Sequence, residues 1–126
     1  MNDELKKGDL RERTTSFALR IIRLCASLER SATGEVIARQ LLRCGTSVGA
    51  QYREACRPRS KAEFVSKLES ALQEMDETEY WIELLRRSQL IKPARLNALE
   101  SELQELTRMI VASVKTAKTN KEMPGR

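Results

Sequence analysis

Apolar residues recur every three or four positions in four separate stretches of the chain, and this spacing is the strongest constraint on its fold. Such a period places the apolar side chains on one face of an α-helix. The last stretch has the cleanest repeat, formed by Leu96, Leu99, Leu103, Leu106 and Ile110. We therefore predict an all-α fold. Because the connections are short, consecutive helices are expected to be antiparallel, as in an up-down four-helix bundle.

Prolines and capping residues give the predicted boundaries of the four segments. Thr33 is expected to cap the second helix and Pro58 to end it. Ser60 and Glu63 have the spacing of a capping box that opens the third helix. The predicted helices span about 9–29, 34–57, 60–90 and 93–118, in one domain of residues 1–118. Residues 119–126 have no apolar face and are predicted to be a disordered basic tail.

The composition argues against several classes of function. The 126 residues include no histidine, which removes histidine-dependent nucleophiles, acid-base pairs and metal motifs. The three cysteines are widely spaced without further ligands at metal spacing, so we expect no metal and no cofactor. No stretch approaches the ~20 apolar residues of a membrane span, and the N-terminus lacks an apolar signal core. We expect a cytoplasmic protein without membrane contact, catalytic site or small-molecule substrate.

Two glycines lie in the middle of the second segment, where each costs about 1 kcal/mol relative to alanine. Gly45 and Gly49 share a narrow side face with Ala38 and Cys56. Such a face lets another helix approach closely, within the chain or at a subunit interface. The same run would also suit a break between two shorter helices. A phosphate-binding loop is the remaining reading, although the run lacks the Gly-Lys-Ser/Thr ending and a preceding strand.

Basic side chains line the second segment and continue into the following loop. The arginines fall within about 80° on a helical wheel, and the proposed basic stripe comprises Arg39, Arg43, Arg53, Arg57, Arg59 and Lys61. The stripe suits a solvated surface, a phosphate-backbone site, or a contact with an acidic surface. The third segment supplies such an acidic surface, in the same chain or in a neighbouring subunit.

Trp81 and Leu84 project to the side of the third segment's core stripe. A tryptophan in this position packs at the edge of the core or marks a subunit interface, where tryptophan is enriched. Together with the small-residue face of Gly45 and Gly49, these residues favour a homo-oligomer.

Several motifs resemble one family, the small four-helix bundle proteins called 23S ribosomal-RNA intervening-sequence proteins. The matching runs are Arg39 to Ala50, Tyr52 to Ala55, Ser60 to Phe64, Glu77 to Trp81, Leu84-Leu85 and Phe17-Ala18. The resemblance implies a four-helix bundle that assembles as a homopentamer, and no enzymatic activity is attached to the family. A similar pentameric bundle contacts nucleic acid as an accessory factor of a reverse transcriptase, which is an analogy of fold alone.

The leading expectation is a non-enzymatic homo-oligomer, a pentamer by resemblance, that binds RNA or another nucleic acid through the basic stripe. The alternative is a protein-interaction scaffold in which acidic residues of a neighbouring subunit or partner occupy the stripe. The net charge of +5 permits nucleic-acid binding without requiring it.

Overall fold

The computed structural model describes the backbone of residues 3–28 and 30–119, and the side chains of residues 10–28 and 30–119. Four α-helices follow one another along the chain: α1 (Asp3–Ala26), α2 (Ala32–Ala55), α3 (Lys61–Ser88) and α4 (Pro93–Thr119). In the described ranges, every regular element is a helix. The predicted all-α class is therefore confirmed.

The helices form a ring in which each one packs against its neighbours in the chain, and α4 closes the ring against α1. The predicted apolar stripes meet at the centre of this up-down bundle. The largest fully buried side chains are Phe17, Ile21, Leu41, Val48, Leu68, Met75, Ile82, Leu85, Leu96, Leu103, Leu106 and Ile110. All four helices contribute to this core, so the bundle is one cooperative packing unit.

The observed helix ends differ from the predicted ones by a few residues. α1 begins at Asp3 rather than near residue 9, because good helix formers extend it beyond the apolar repeat. Ser31, not Thr33, caps α2: its Oγ accepts a 3.0 Å hydrogen bond from the Gly34 amide. The predicted cap of α3 is present, with the Ser60 Oγ accepting from the Glu63 amide at 3.0 Å.

The far end of the chain falls mostly outside the described residues. Thr119 is the last residue of α4, so this first residue of the predicted tail is helical. Residues 120–126, the rest of the predicted disordered tail, lie outside the part of the chain that the structure describes.

The absence of a side chain at Gly45 lets α1 and α2 pack closely. A Cβ at Gly45 would lie 2.9 Å from Ile21 Cγ1, whereas one at Gly49 would lie 3.4 Å from Thr14 Oγ1. The Cys25 Sγ donates a 3.3 Å hydrogen bond to the Ala38 carbonyl in the same seam. α2 runs without interruption through both glycines, so the alternative prediction of two shorter helices with a break at this run is wrong. Both glycines face α1 of their own chain.

An arginine on α1 joins the first helix to the last. The Nε and Nη2 atoms of Arg13 donate to the two carboxylate oxygens of Glu102, at 3.0 and 2.8 Å. A second carboxylate, Glu105, accepts from Nη2 at 2.8 Å. Such a forked pair is among the stronger charge-assisted hydrogen bonds of proteins. It fixes the register of α4 against α1, where apolar contact is least extensive.

We expect Gly45→Ala to lower the free energy of unfolding by about 1 kcal/mol. The added methyl group overlaps Ile21, a stiff β-branched side chain, and overpacking of about 1–3 kcal/mol exceeds the propensity gain of about 1 kcal/mol. Gly49→Ala is the matched control, because its methyl group makes ordinary contact with Thr14. It should leave stability unchanged or raise it in urea denaturation. Equal stabilisation by both variants would contradict close packing at Gly45.

The Arg13–Glu102 pair should make the free energy of unfolding depend on pH. Hydrogen bonds from Arg13 hold the pKa of Glu102 below its usual value, so its contribution is fully present above the unfolded pKa of about 4.3. It is lost as the pH falls through the lower, folded pKa. Glu102→Gln should therefore destabilise the protein at pH 7, with a penalty that shrinks as the pH falls below about 4.3 and through the lower pKa of the folded state. Glu12→Gln is the control, because Glu12 lies on the exposed surface of the same helix. Thermal unfolding of both variants and of the unaltered protein at several pH values measures the stability difference.

Candidate nucleic-acid interface

A cavity of about 460 Å³ lies at the end of the bundle where α2 passes into α3. Pro58 disfavours helical geometry at Arg57, so α2 ends at Ala55 and a short connection leads to the Ser60 cap. This turn brings the end of α2 beside the start of α3. The cavity, which we call the basic cavity, is lined by Arg11, Arg53, Glu54, Arg57, Arg59, Glu63 and Lys67.

Both carboxylates of the basic cavity are already engaged by cations. Glu63 accepts from the Arg59 backbone amide at 2.8 Å and from the Arg59 guanidinium at 3.0 and 3.1 Å. These hydrogen bonds hold the pKa of Glu63 below its usual value, so the group stays ionised near neutral pH. Glu54 pairs with the Lys67 ammonium at 2.6 Å. Each carboxylate is therefore matched by one of the five cations.

Three arginines of the basic cavity keep their charge without a carboxylate partner among the described residues. Arg53 donates to the neutral hydroxyl of Thr15 at 3.0 Å. Arg57 and Arg11 are exposed, and neither forms an ion pair within the described ranges. Thr15 in turn donates to the Arg11 carbonyl at 2.9 Å, which places Arg11 one turn away from the Arg53 contact. The cavity therefore presents a net positive surface built by α1, α2 and the start of α3.

The structure separates the predicted basic stripe into two parts. Arg53, Arg57 and Arg59 line the basic cavity, whereas Arg39, Arg43 and Lys61 are not among its lining residues. Arg39 lies fourteen residues before Arg53, or about 21 Å along the helix axis. It lies 3.8 Å from Glu35 on the same helix, and its side chain is 70% exposed. A helical wheel shows direction but not this axial distance.

Arg43 is paired with acidic residues of its own chain. It contacts Glu77 through a short charge-assisted hydrogen bond, and its Nη1 lies 3.5 Å from Glu74 Oε1. That Glu74 oxygen is buried without a hydrogen bond, so the Arg43 charge is its nearest compensation. The acidic surface expected opposite the stripe thus lies on α3 of the same chain, at Arg43.

Two lining residues escaped the sequence analysis because they lie on other helices. Arg11 belongs to α1 and Lys67 to α3, each brought to α2 by antiparallel packing. A signal was available in principle: in an up-down bundle, the start of α1 lies level with the end of α2 and the start of α3. Basic residues near the start of α1 and the start of α3 could therefore have been expected beside those at the end of α2.

Comparison with known proteins gives a family and a solved relative. The model of the 23S rRNA-intervening sequence protein family matches residues 6–112. The chain belongs to this family. A crystal structure of a protein with unknown function from the S23 ribosomal protein family of Bacteroides thetaiotaomicron is 36% identical, with a TM-score of 0.84. The match covers 88% of this chain and 99% of that one. None of the curated proteins compared with the chain matches it.

The predicted resemblance is therefore confirmed, and the four-helix architecture with it. The Bacteroides protein is of unknown function, and the family name gives no activity. The chemistry of the basic cavity is therefore the basis for assigning it a role.

Trp81 of this intervening-sequence protein lies at the edge of the core, where it is half-buried. Its indole Nε1 donates to Glu77 at 3.3 Å, and its ring meets Tyr80 edge to face with centroids 5.5 Å apart. Glu77 therefore joins Trp81 to Arg43 across the seam between α2 and α3. Leu84 is half-buried one turn further along α3.

An apolar surface remains exposed on the outer side of α1 and α2. Leu19 and Ile22 of α1 are each 46% exposed, and Leu42 of α2 is 39% exposed. The contact of Gly45 with Ile21 sets the helix register, so Leu42 and Ile22 lie within about two residues of the same level, or about 3 Å along the helix axis. We call these three residues the outer apolar surface. Adjacent exposed large apolar side chains of this kind are typical of interaction sites.

Two reactive side chains of this family member, Cys44 and Tyr52, are buried in the bundle. Burial raises the pKa of the Cys44 thiol and of the Tyr52 hydroxyl, so both are protonated near neutral pH. Within the described residues, no group of three or more candidate ligands could hold a metal ion. Nor does any helix in that part of the chain have the length and apolar content needed to cross a membrane.

Proposed function

We propose that this protein is a non-enzymatic, homo-oligomeric bundle that binds the phosphate backbone of RNA through the basic cavity. The observation that carries the proposal is the set of three arginines, Arg11, Arg53 and Arg57, gathered around one cavity without a carboxylate partner among the side chains that the structure describes. Cations without partners that share a concave surface repel one another, and a phosphate group relieves that repulsion. Arginine also binds phosphate through a planar fork of donors.

The Arg59–Glu63 and Lys67–Glu54 pairs support the same reading. They neutralise both carboxylates, Glu63 and Glu54, that line the cavity in the described part of the chain, so neither competes with a ligand for the three arginines. A protein-interaction scaffold is the alternative role. Arg43 does not favour it, because the carboxylates that occupy this arginine, Glu74 and Glu77, belong to the same chain.

Homo-oligomer formation is the second part of the proposal. The outer apolar surface supports it, because burying Leu19, Ile22 and Leu42 against another copy removes apolar area from water at about 25 cal/mol per Å². The stoichiometry that the family resemblance implies is five. A ring of five copies would repeat the basic cavity five times.

The first test replaces Arg53 and Arg57 together by glutamine and measures binding of single-stranded RNA at several salt concentrations. We expect affinity at low salt to fall at least about tenfold. The slope of log affinity against log salt should become shallower by about 1.4, since each lost contact accounts for about 0.7. Arg23→Gln with Arg108→Gln is the matched control: it removes the same charge from exposed positions outside the cavity.

The control variant should keep both the affinity and most of the slope. If the two double variants lose affinity equally, binding reflects net charge and the cavity is not the site. If the unaltered protein binds no RNA at low salt, the proposed function is wrong.

The second test replaces Leu19 and Ile22 by serine and measures the mass in solution by light scattering. We expect the unaltered protein to have about five times the chain mass of 14.4 kDa, and the variant to be monomeric. Leu90→Ser is the control, because Leu90 is equally exposed but lies in the connection between α3 and α4. A monomeric unaltered protein, or a variant that assembles as before, would contradict this part of the proposal.

A further inference from the structure

The basic cavity differs in shape from a surface that follows a nucleic-acid strand. A strand-following site spreads its cations along a path, because internal phosphates recur at every nucleotide. Here the cations come from three helices and one connection and line a single cavity: Arg11 from α1, Arg53 from the end of α2, Arg57 from the connection that follows it, and Lys67 from α3. This convergence suits a ligand that concentrates its charge at one point.

The charge of the basic cavity exceeds what one internal phosphate neutralises. Three arginines remain after Glu54 and Glu63 are matched by Lys67 and Arg59. An internal phosphodiester carries one negative charge and two non-bridging oxygens. A terminal phosphate monoester carries about −1.5 to −2 near pH 7 and three acceptor oxygens. The monoester therefore matches three guanidinium groups better than the diester does.

The volume agrees with a ligand larger than a phosphate ion. Sites for small ligands and cofactors typically measure about 300–1,000 Å³. At about 460 Å³, the basic cavity has room for a phosphate together with part of the nucleoside that carries it.

We propose that the basic cavity recognises the phosphorylated end of an RNA strand, with Arg11, Arg53 and Arg57 as the groups that bind the terminal phosphate monoester. This inference rests on the proposed RNA binding and adds the part of the strand that is read. Arg11 has a particular role in it, because it is the lining arginine that α1 contributes, whereas the other two come from the end of α2 and the connection after it.

The test compares two single-stranded RNA oligonucleotides that carry the same number of phosphates. One has a 5′-phosphate; the other is one nucleotide longer and ends in a 5′-hydroxyl. We expect the phosphorylated strand to bind about tenfold more tightly to the unaltered protein in fluorescence anisotropy. A 3′-phosphorylated strand is a third probe, and a preference for either phosphorylated end supports the proposal. Equal affinity for all three strands overturns it.

Single substitutions then test which residues cause the tighter binding of the phosphorylated strand. Arg11→Gln should reduce the tenfold preference to about onefold to threefold, whereas Arg23→Gln on the same helix should leave it unchanged. Arg57→Lys keeps the charge but loses the fork, so it should reduce the preference with little change in the salt slope. Circular dichroism of each variant verifies folding. If Arg11→Gln and Arg23→Gln behave alike, the cavity does not read the strand end.

Two further arms separate this inference from its alternatives. Adenosine 5′-monophosphate is added as a competitor; if it binds as tightly as the phosphorylated strand, the ligand is a free nucleotide and the strand-end proposal is wrong. Binding of all strands with equal affinity would remove only the end recognition and leave the proposed RNA binding intact. Absence of binding to every strand at low salt would remove both.

Discussion

The close packing of α1 against α2 is the interaction on which the rest of this structure depends. Gly45 accepts the side chain of Ile21, and Gly34 leaves room for the Leu28 carbonyl, which a Cβ at Gly34 would approach to 2.2 Å. Together these contacts fix the register of the first helical pair. The same register brings Thr15 to Arg53 and thereby places Arg11 beside the end of α2. The basic cavity is thus a consequence of how two helices pack.

The remaining helices complete this arrangement by different means. α3 packs along α2, and ion pairs extend that contact. Arg43 of α2 pairs with Glu74 of α3, and Lys67 of α3 pairs with Glu54 of α2. α4 packs along α3 and reaches α1 through the Arg13–Glu102 pair. Exposed pairs contribute only about 0–1 kcal/mol each, so their main effect is to select register and neighbours. That selection determines which arginines are occupied and which remain available to a ligand.

Membership of the 23S rRNA-intervening sequence protein family agrees with this architecture but does not supply an activity. The proposed function therefore depends on the local balance of charge. Basic residues are frequent over the whole surface, but most of those with a described partner face a carboxylate. The basic cavity is different because its carboxylates are outnumbered and already paired. This imbalance, rather than the net charge of the chain, is what makes it a plausible phosphate site.

The sequence by itself determined the helical class, the bundle and most of the core. Apolar periodicity is a local property, and it correctly indicated buried residues such as Phe17, Leu68 and Leu106. Helix ends were less predictable, since Ser31 and Thr33 are both chemically able to cap and only the chain's path decides between them. The tertiary structure alone decided which cations meet. On a helical-wheel projection of α2, Arg39 and Arg53 project at similar angles, although about 21 Å of helix separates them. Antiparallel packing instead joined Arg53 to Arg11 and Lys67, because charge is grouped by distance in space and not by position along one helix.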